Sequence, residues 1–311
     1  MLLWSVFSQV LLPILVLTGC GWVLDRAFRL DLGTLVKLNF YLFVPCFLFH
    51  EVVTSSLQAG LAVRVMAFTG CIFAGMFLLS ALVARGMGYD RSQERALQLA
   101  TMFYNSGNYG VPLMALAFPG TGPVLQVFVL LAQNIGTFTV GLLLASSGEE
   151  RGWRRWVPML KQASPWAVAF ALLVRASGLP VMEWRWFWVP VEYLHKALVG
   201  VALVTLGVQL SRTRVRQSAR RLSWALGLRL FGGPVLAAFL CGAFGFRGEE
   251  AVVMIVSAAF PTAVNTALLA HEFKADSDFA AAVVFYSTLA SMFTVTCLIA
   301  VLRVPEVVAV F

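Results

Sequence analysis

Residues Glu94 to Pro119 read ERALQLATMFYNSGNYGVPLMALAFP. The run is apolar enough to cross a bilayer, yet Asn105, Gly107, Asn108, Gly110 and Pro112 stand in its middle. Two glycines loosen a helix, and a proline removes a backbone donor and clashes with the preceding turn. Inside hydrocarbon, open backbone persists only where protein buries it or where it lines a watery cavity. The pattern therefore predicts a discontinuous helix broken at mid-membrane. Breaks at that depth are where secondary transporters hold their substrates.

A second stretch answers the first. Glu250 to Phe273 reads EAVVMIVSAAFPTAVNTALLAHEF, again an acidic residue followed by an apolar run and an interruption. Setting Glu94 on Glu250 sets Asn105 on Pro261, with Asn265 four residues later. That displacement is half of the 311-residue chain. Paired interruptions at corresponding places in two halves point to an internal repeat with a binding site at its centre.

The remainder of the chain suits a membrane. Charged residues make up 12% of it and hydrophobic ones 60%, whereas soluble domains carry about 25% charge. Ten apolar spans are expected, roughly 4–24, 33–55, 62–84, 94–118, 122–146, 157–177, 190–210, 221–245, 250–271 and 279–302. Each is long enough for a bilayer core, which requires about 20 residues. Met1 leads into the first span without a basic segment, so no cleaved signal is expected. Of the 23 basic residues, fifteen fall in loops after odd-numbered spans and five on the other side. The positive-inside rule then puts both termini outside and the basic loops in the cytoplasm. The net charge of +8 thus reports orientation and calls for no nucleic acid. Five cysteines, Cys20, Cys46, Cys71, Cys241 and Cys297, lie in apolar spans without metal-ligand spacing and read as core packers.

An odd number of spans per half makes the second half enter the membrane from the opposite side. The expected fold is an all-α polytopic membrane protein of two inverted five-helix repeats, residues 1–148 and 162–311, joined by a cytoplasmic linker at 149–161. Trp153 and Trp156 flank that linker, and Trp184, Trp186 and Trp188 form a second group. All five read as headgroup-level anchors. The basic run Arg212–Arg221 reads as an orientation signal touching anionic lipid.

NSGNYGVPL at Asn105–Leu113 and PTAVNTALLAHEFKAD at Pro261–Asp276 resemble the auxin efflux carrier family. That family includes the plant PIN-type auxin carriers and bacterial carriers of malonate and related acids. LVKLNFYLFVPCFLF (Leu35–Phe49), ALVTLGVQL (Ala202–Leu210) and RLFGGPVL (Arg229–Leu236) are similar to its second, seventh and eighth spans. The resemblance covers essentially the whole chain, without the long cytoplasmic loop of many plant members. It implies a fold like that of bile-acid sodium symporters, with broken spans four and nine crossed. Spans one, two, six and seven would form a scaffold, and the other six a transport domain moving as an elevator. It implies a multi-pass protein of the bacterial inner membrane, with lipids as neighbours and room for a homodimer through the scaffold. The ninth span has no glycine near Pro261, so its break is expected to be the milder one.

A helix break exposes unpaired N–H groups at a positive dipole end, and two such ends favour a carboxylate. Asn105, Asn108 and Asn265 would add amide donors without net charge, and Asn39 could face them from the scaffold. For Asn105, satisfying backbone freed by the break is an equal alternative. Gly107, Gly110, Pro112, Pro261 and Thr262 belong to the breaks and are expected to shape backbone. Phe103, Tyr104 and Tyr109 could stack on an aromatic substrate or pack between helices. Gln133 and Asn134 are expected to bond neighbouring helices. Arg229 lies about 12 Å into its span; it could draw an anion inward or snorkel back to the surface. None of the fifteen acidic residues sits at mid-membrane, which disfavours proton-driven antiport.

Sodium coupling stays open, and no metal or other cofactor is called for. His50, His195 and His271 sit near span ends and are expected to form no catalytic or metal-binding set. The pair His50–Glu51 and His195 read as interfacial groups, with pH sensing as the alternative. These features point to a non-enzymatic secondary carrier of small organic anions, malonate-like or auxin-like. A membrane-embedded sensor of the same fold and a sodium-coupled symporter of another acid are the alternatives.

Overall fold

The computed structural model describes residues 8, 12–54, 59–141, 163–212, 217–272 and 275–303. The linker at 149–161, with Trp153 and Trp156, lies outside the described residues, as do Arg214 and Arg216 of the basic run. The described chain is helical throughout: α1 (Leu12–Phe28), α2 (Leu32–Thr54), α3 (Ala59–Gly86), α4 (Arg91–Met102), α5 (Val111–Ala117) and α6 (Thr121–Gly136). The second half follows with α7 (Ala163–Ser177), α8 (Arg185–Arg212), α9 (Ala219–Phe244), α10 (Gly248–Ala258), α11 (Val264–Glu272) and α12 (Ser277–Leu302). Each of the ten expected spans contains one of these helices, and the fourth and ninth contain two.

Local sequence sets the ends. Asp90 accepts from the Gln93 amide at 2.9 Å while the Gln93 side chain accepts from the Asp90 amide at 3.3 Å, a reciprocal cap that starts α4. Asp31 caps α2 through the Thr34 amide, and Asp276 caps α12 through the Phe279 amide. Gly245, at φ +66°, closes α9 in the left-handed conformation open to glycine.

Five helices are long and apolar enough to cross a bilayer, within α2, α3, α8, α9 and α12. Large apolar side chains face outward on them and their neighbours, including Trp166, Leu173, Phe239 and Phe293. An apolar exterior around an apolar core fits a lipid solvent, and the chain is a multi-pass membrane protein.

The helices α1, α2, α7 and α8 pack on one another. Their tightest contact is α1 on α8. A Cβ at Gly21 would stand 2.0 Å from the Val204 carbonyl oxygen, and one at Gly207 would stand 1.9 Å from that of Thr18. Small residues are what let two membrane helices approach this closely. A second group forms around α3, which packs on α4, α6 and α9, while α12 packs on α4, α10 and α11. The helices carry π-helical turns at Asn39–Phe43, Ser106–Gly110, Thr137–Gly141 and Leu228–Gly232, of which Ser106–Gly110 packs across on α8. A π-turn inserts one extra residue and re-aims the side chains around it.

Candidate functional site

The two interrupted spans cross and pair. Helix α4 stops at Met102 and Phe103 is extended. Tyr104 then pairs antiparallel with Thr262. The Asn105 amide donates to the Pro261 carbonyl at 2.7 Å, and the Ala263 amide donates to the Phe103 carbonyl at 3.0 Å. Each break thereby satisfies backbone groups that the other leaves open, as a buried interruption requires. Asn105 and Pro261, which the sequence sets on each other, lie opposite one another in this pairing.

Expectation and structure differ on the ninth span. Its break, from Ala259 to Ala263, is no milder than the fourth's. Glycine is unnecessary there because no residue of either break has positive φ. Pro261 ends α10 by lacking an N–H and by crowding the carbonyl four residues back. Glycine matters instead at Gly110, where a Cβ would lie 2.5 Å from Cε2 of Phe260 in the crossing segment.

Side chains lock the crossing. The Thr262 hydroxyl donates to the Ala100 carbonyl at 2.7 Å, and the Thr262 amide donates to the Ser287 hydroxyl at 3.0 Å. From α6, Gln126 donates to the Ser106 carbonyl at 2.9 Å and accepts from the Ser257 hydroxyl at 3.2 Å. One amide thus ties both interrupted spans together.

Arg229 does not snorkel. It is fully buried, at 0% exposure, within the π-turn of α9. Its two terminal nitrogens donate to the Thr101 and Ala258 carbonyls, at the ends of α4 and α10. Its guanidinium carbon lies 4.9 Å from the centre of the Tyr104 ring. One cation therefore sits at the negative ends of both first half-helices, where a positive charge is most favourable.

On the other side of the crossing lies a cavity of about 310 Å³. Asn105, Ser106, Gly107 and Asn108 form one wall, at the start of the helix that continues into α5. Ala263, Val264 and Asn265 form another, at the start of α11. The opposing wall comes from α2, through Val36 and Phe40, and from Gln209 of α8. None of the lining residues is charged. Asn105 occupies the N-cap position but makes no side-chain capping bond. The amide nitrogens of Asn105, Gln133 and Asn134 are buried and have no partner. Gln133 still holds the Tyr104 amide through its oxygen, at 3.4 Å.

The structure thus brings Asn105, Asn108, Asn265 and Gly107 together around one space. Pro112 lies in α5 behind the wall, while Pro261 and Thr262 belong to the bridge. Two expected ligands are elsewhere. Arg229 serves the helix ends, and Asn39 is fully buried, donating to the Thr205 hydroxyl at 2.9 Å to tie α2 to α8. Gln133 and Asn134, expected to bond neighbouring helices, line the cavity. Of the three aromatic candidates only Tyr104 reaches it; Phe103 and Tyr109 are buried in packing, Tyr109 against Phe260. Gln209 and Thr137 also line the space, and polarity within an apolar span is the one signal their sequence carries.

Comparison with known proteins agrees with this geometry. The family model described as membrane transport protein matches residues 6–155 and 154–299. A protein of Methanothermobacter thermautotrophicus named "Uncharacterized transporter" is 27% identical over 290 residues, spanning 92% of this chain and 95% of the relative. One of Rhizobium meliloti named "Putative malonate transporter" is 24% identical over 291 residues, spanning 88% of this chain and 87% of the relative.

Proposed function

The chain belongs to the auxin efflux carrier family of membrane transport proteins, and we propose that it is a secondary carrier of small organic anions bearing one or two carboxylates. The observation behind this reading is the cavity wall. It offers unpaired amide donors and two helix starts, and no fixed charge. Helix starts supply partial positive charge to an anion. Neutral donors bind a carboxylate without holding it irreversibly, which release on the far side requires. A malonate-like diacid fits this wall, with one carboxylate at each helix start, and the relative named for malonate transport favours it over an aromatic acid.

The cavity lies between α2 and α8 on one side and the crossing on the other. A scaffold of α1, α2, α7 and α8 and a mobile body of the remaining helices would slide past each other there, giving elevator-type alternating access. The two helix groups support this division. By the positive-inside assignment, the Leu32 and Gln209 end of the cavity opens to the cytoplasm. Coupling is to no sodium ion. Half-helix C-termini are where such carriers coordinate sodium, and Arg229 already occupies both.

The test is current on a solid-supported membrane. Purified protein in liposomes is pulsed with malonate, other dicarboxylates, monocarboxylates and indole acids, with and without sodium. Asn108→Ala is run in parallel, with radiolabelled uptake for any electrically silent acid. We expect sodium-independent transport of a short dicarboxylate that the variant lacks. Normal transport by the variant would move the site elsewhere. Binding without flux for every acid would favour a sensor of the same fold.

A further inference from the structure

A second set of ligating groups lies far from the cavity. His50 and Glu51 stand near the end of α2, and His195 faces them from α8. The cavity runs along α2 from Leu32 to Phe40, so about 15 Å of helix separates its nearer end from His50. The sequence puts these residues near span ends, where plain solvation is expected. The fold instead gathers them, with each side chain about four-fifths or more buried.

The geometry is that of a ligand set. His195 Nε2 lies 2.8 Å from Glu51 Oε1, and His50 Nδ1 lies 3.4 Å from the same oxygen. One ligand atom from each of the three falls within 4.8 Å of the other two. A tetrahedral ion with bonds near 2.0–2.1 Å keeps its ligand atoms roughly 3.3 Å apart, so modest side-chain turns close the set. Beyond its 3.4 Å contact with Glu51, buried His50 Nδ1 makes no well-formed hydrogen bond.

Aromatic rings flank both imidazoles. The His50 and His195 rings stack with centroids 3.9 Å apart. Phe47 stacks on His195 at 5.3 Å and Trp188 on His50 at 5.2 Å. Glu192, one turn before His195, is taken up by Lys196 at 3.0 Å. The Arg175 side chain is also nearby, donating to the Val52 carbonyl at 2.9 Å.

We propose that His50, Glu51 and His195 bind a borderline transition-metal ion of the zinc class, with water completing four-coordination. Two imidazoles and a carboxylate suit such an ion and poorly suit magnesium or calcium, which take oxygen shells. Binding turns the two rings out of their stack, since the ion must lie near both ring planes. The ion would pin α2 to α8 at the end of these helices opposite the cavity.

The test uses tag-free protein in detergent, since a polyhistidine tag would bind the probe. Cobalt(II) is titrated and followed by its visible d–d absorption, then displaced with zinc. Thermal unfolding is recorded with zinc and with magnesium. We expect one equivalent of cobalt in a tetrahedral spectrum, displacement by zinc, and a rise in melting temperature with zinc alone. His50→Gln and His195→Gln should each weaken binding about tenfold or more, as loss of a ligand exceeds the loss of an outer partner. Absence of the d–d band in the wild-type protein would overturn the site, whatever the variants do. So would a thiolate charge-transfer band, which would put the ion on cysteine, or unchanged binding in both folded variants.

Discussion

Replacing Arg229 separates two roles for a buried cation. If it holds the ends of α4 and α10, its loss strikes stability; if it meets substrate, its loss strikes affinity. In Arg229→Met, the Thr101 and Ala258 carbonyls lose their donor at a place where no water replaces it. Each buried acceptor left open costs about 1–3 kcal/mol, so the two together cost roughly 2–6 kcal/mol. Loss of the favourable charge at two helix ends adds up to about 2 kcal/mol each in partly buried settings. Relief from burying a guanidinium offsets part of this, leaving a net loss of several kcal/mol. Arg229→Lys keeps the charge but lacks the fork that reaches both carbonyls at once, so it should recover part of the loss. Gly233→Ala attacks the same arrangement from behind, since its Cβ would lie 2.4 Å from the Ala258 oxygen and 2.6 Å from an Arg229 nitrogen. The assay is thermal unfolding of purified protein, followed by uptake per folded molecule over a range of substrate. All three variants should melt earlier than wild type, with the methionine variant lowest and KM little changed in the folded fraction. Unchanged melting with a raised KM for Arg229→Met would refute the reasoning and return Arg229 to the substrate path.

Three other substitutions probe the cavity and the frame around it. Gly107→Ala should fold normally, because its Cβ would meet only Leu130 Cδ1, at 3.7 Å, but should slow transport by narrowing the site; normal uptake would put the substrate elsewhere. Asn108→Ala should abolish uptake with melting within about 1 kcal/mol of wild type, as expected when a residue serves the ligand more than the fold; a large drop in melting would make it structural. Gly207→Val should collapse the α1–α8 crossing, where even one Cβ would come within 1.9 Å of the Thr18 oxygen; monodisperse elution at wild-type yield would contradict the close packing.

The sequence carries the parts of this fold that depend on local chemistry. Pro112 and Pro261, with the glycines and amides around them, mark interruptions that a helix in lipid cannot conceal. The cavity assembles from the residues at those interruptions, Asn105, Asn108 and Asn265. What stays illegible depends on rotation and register. Gln133 and Asn134 are adjacent polar residues in an apolar span, and nothing in their spacing tells whether they face a neighbour or a space. The π-turns that re-aim Phe40, Asn108 and Arg229 have no sequence signature of their own. For Arg229, depth counted from the cytoplasmic end of its span suggests an arginine reaching out. Its side chain turns inward instead, to carbonyls supplied by two helices distant in sequence. The partnership of His50 with His195 is hidden for the same reason, since α2 and α8 meet only in the folded chain.

The crossing has a polarity that bears on coupling. Four half-helices meet there, two ending and two beginning. The two ends, of α4 and α10, converge on Arg229, while the two starts, at Ser106 and Val264, face the cavity. Dipole ends of opposite sign are thus sorted to opposite sides of one antiparallel pairing. On the proposed reading, a cation drawn to the negative helix ends would meet the resident Arg229 guanidinium there. If the carrier moves an anion without a counter-ion, as proposed, each cycle of a monoanion carries one net charge across the membrane. Such transport would be driven by the membrane potential alone. An inside-negative potential should speed net export of the anion and slow its uptake, and potassium–valinomycin clamps of either sign test this directly. Equal rates at both polarities would mean that a compensating ion travels along, and that Arg229 does not close the negative helix ends to it.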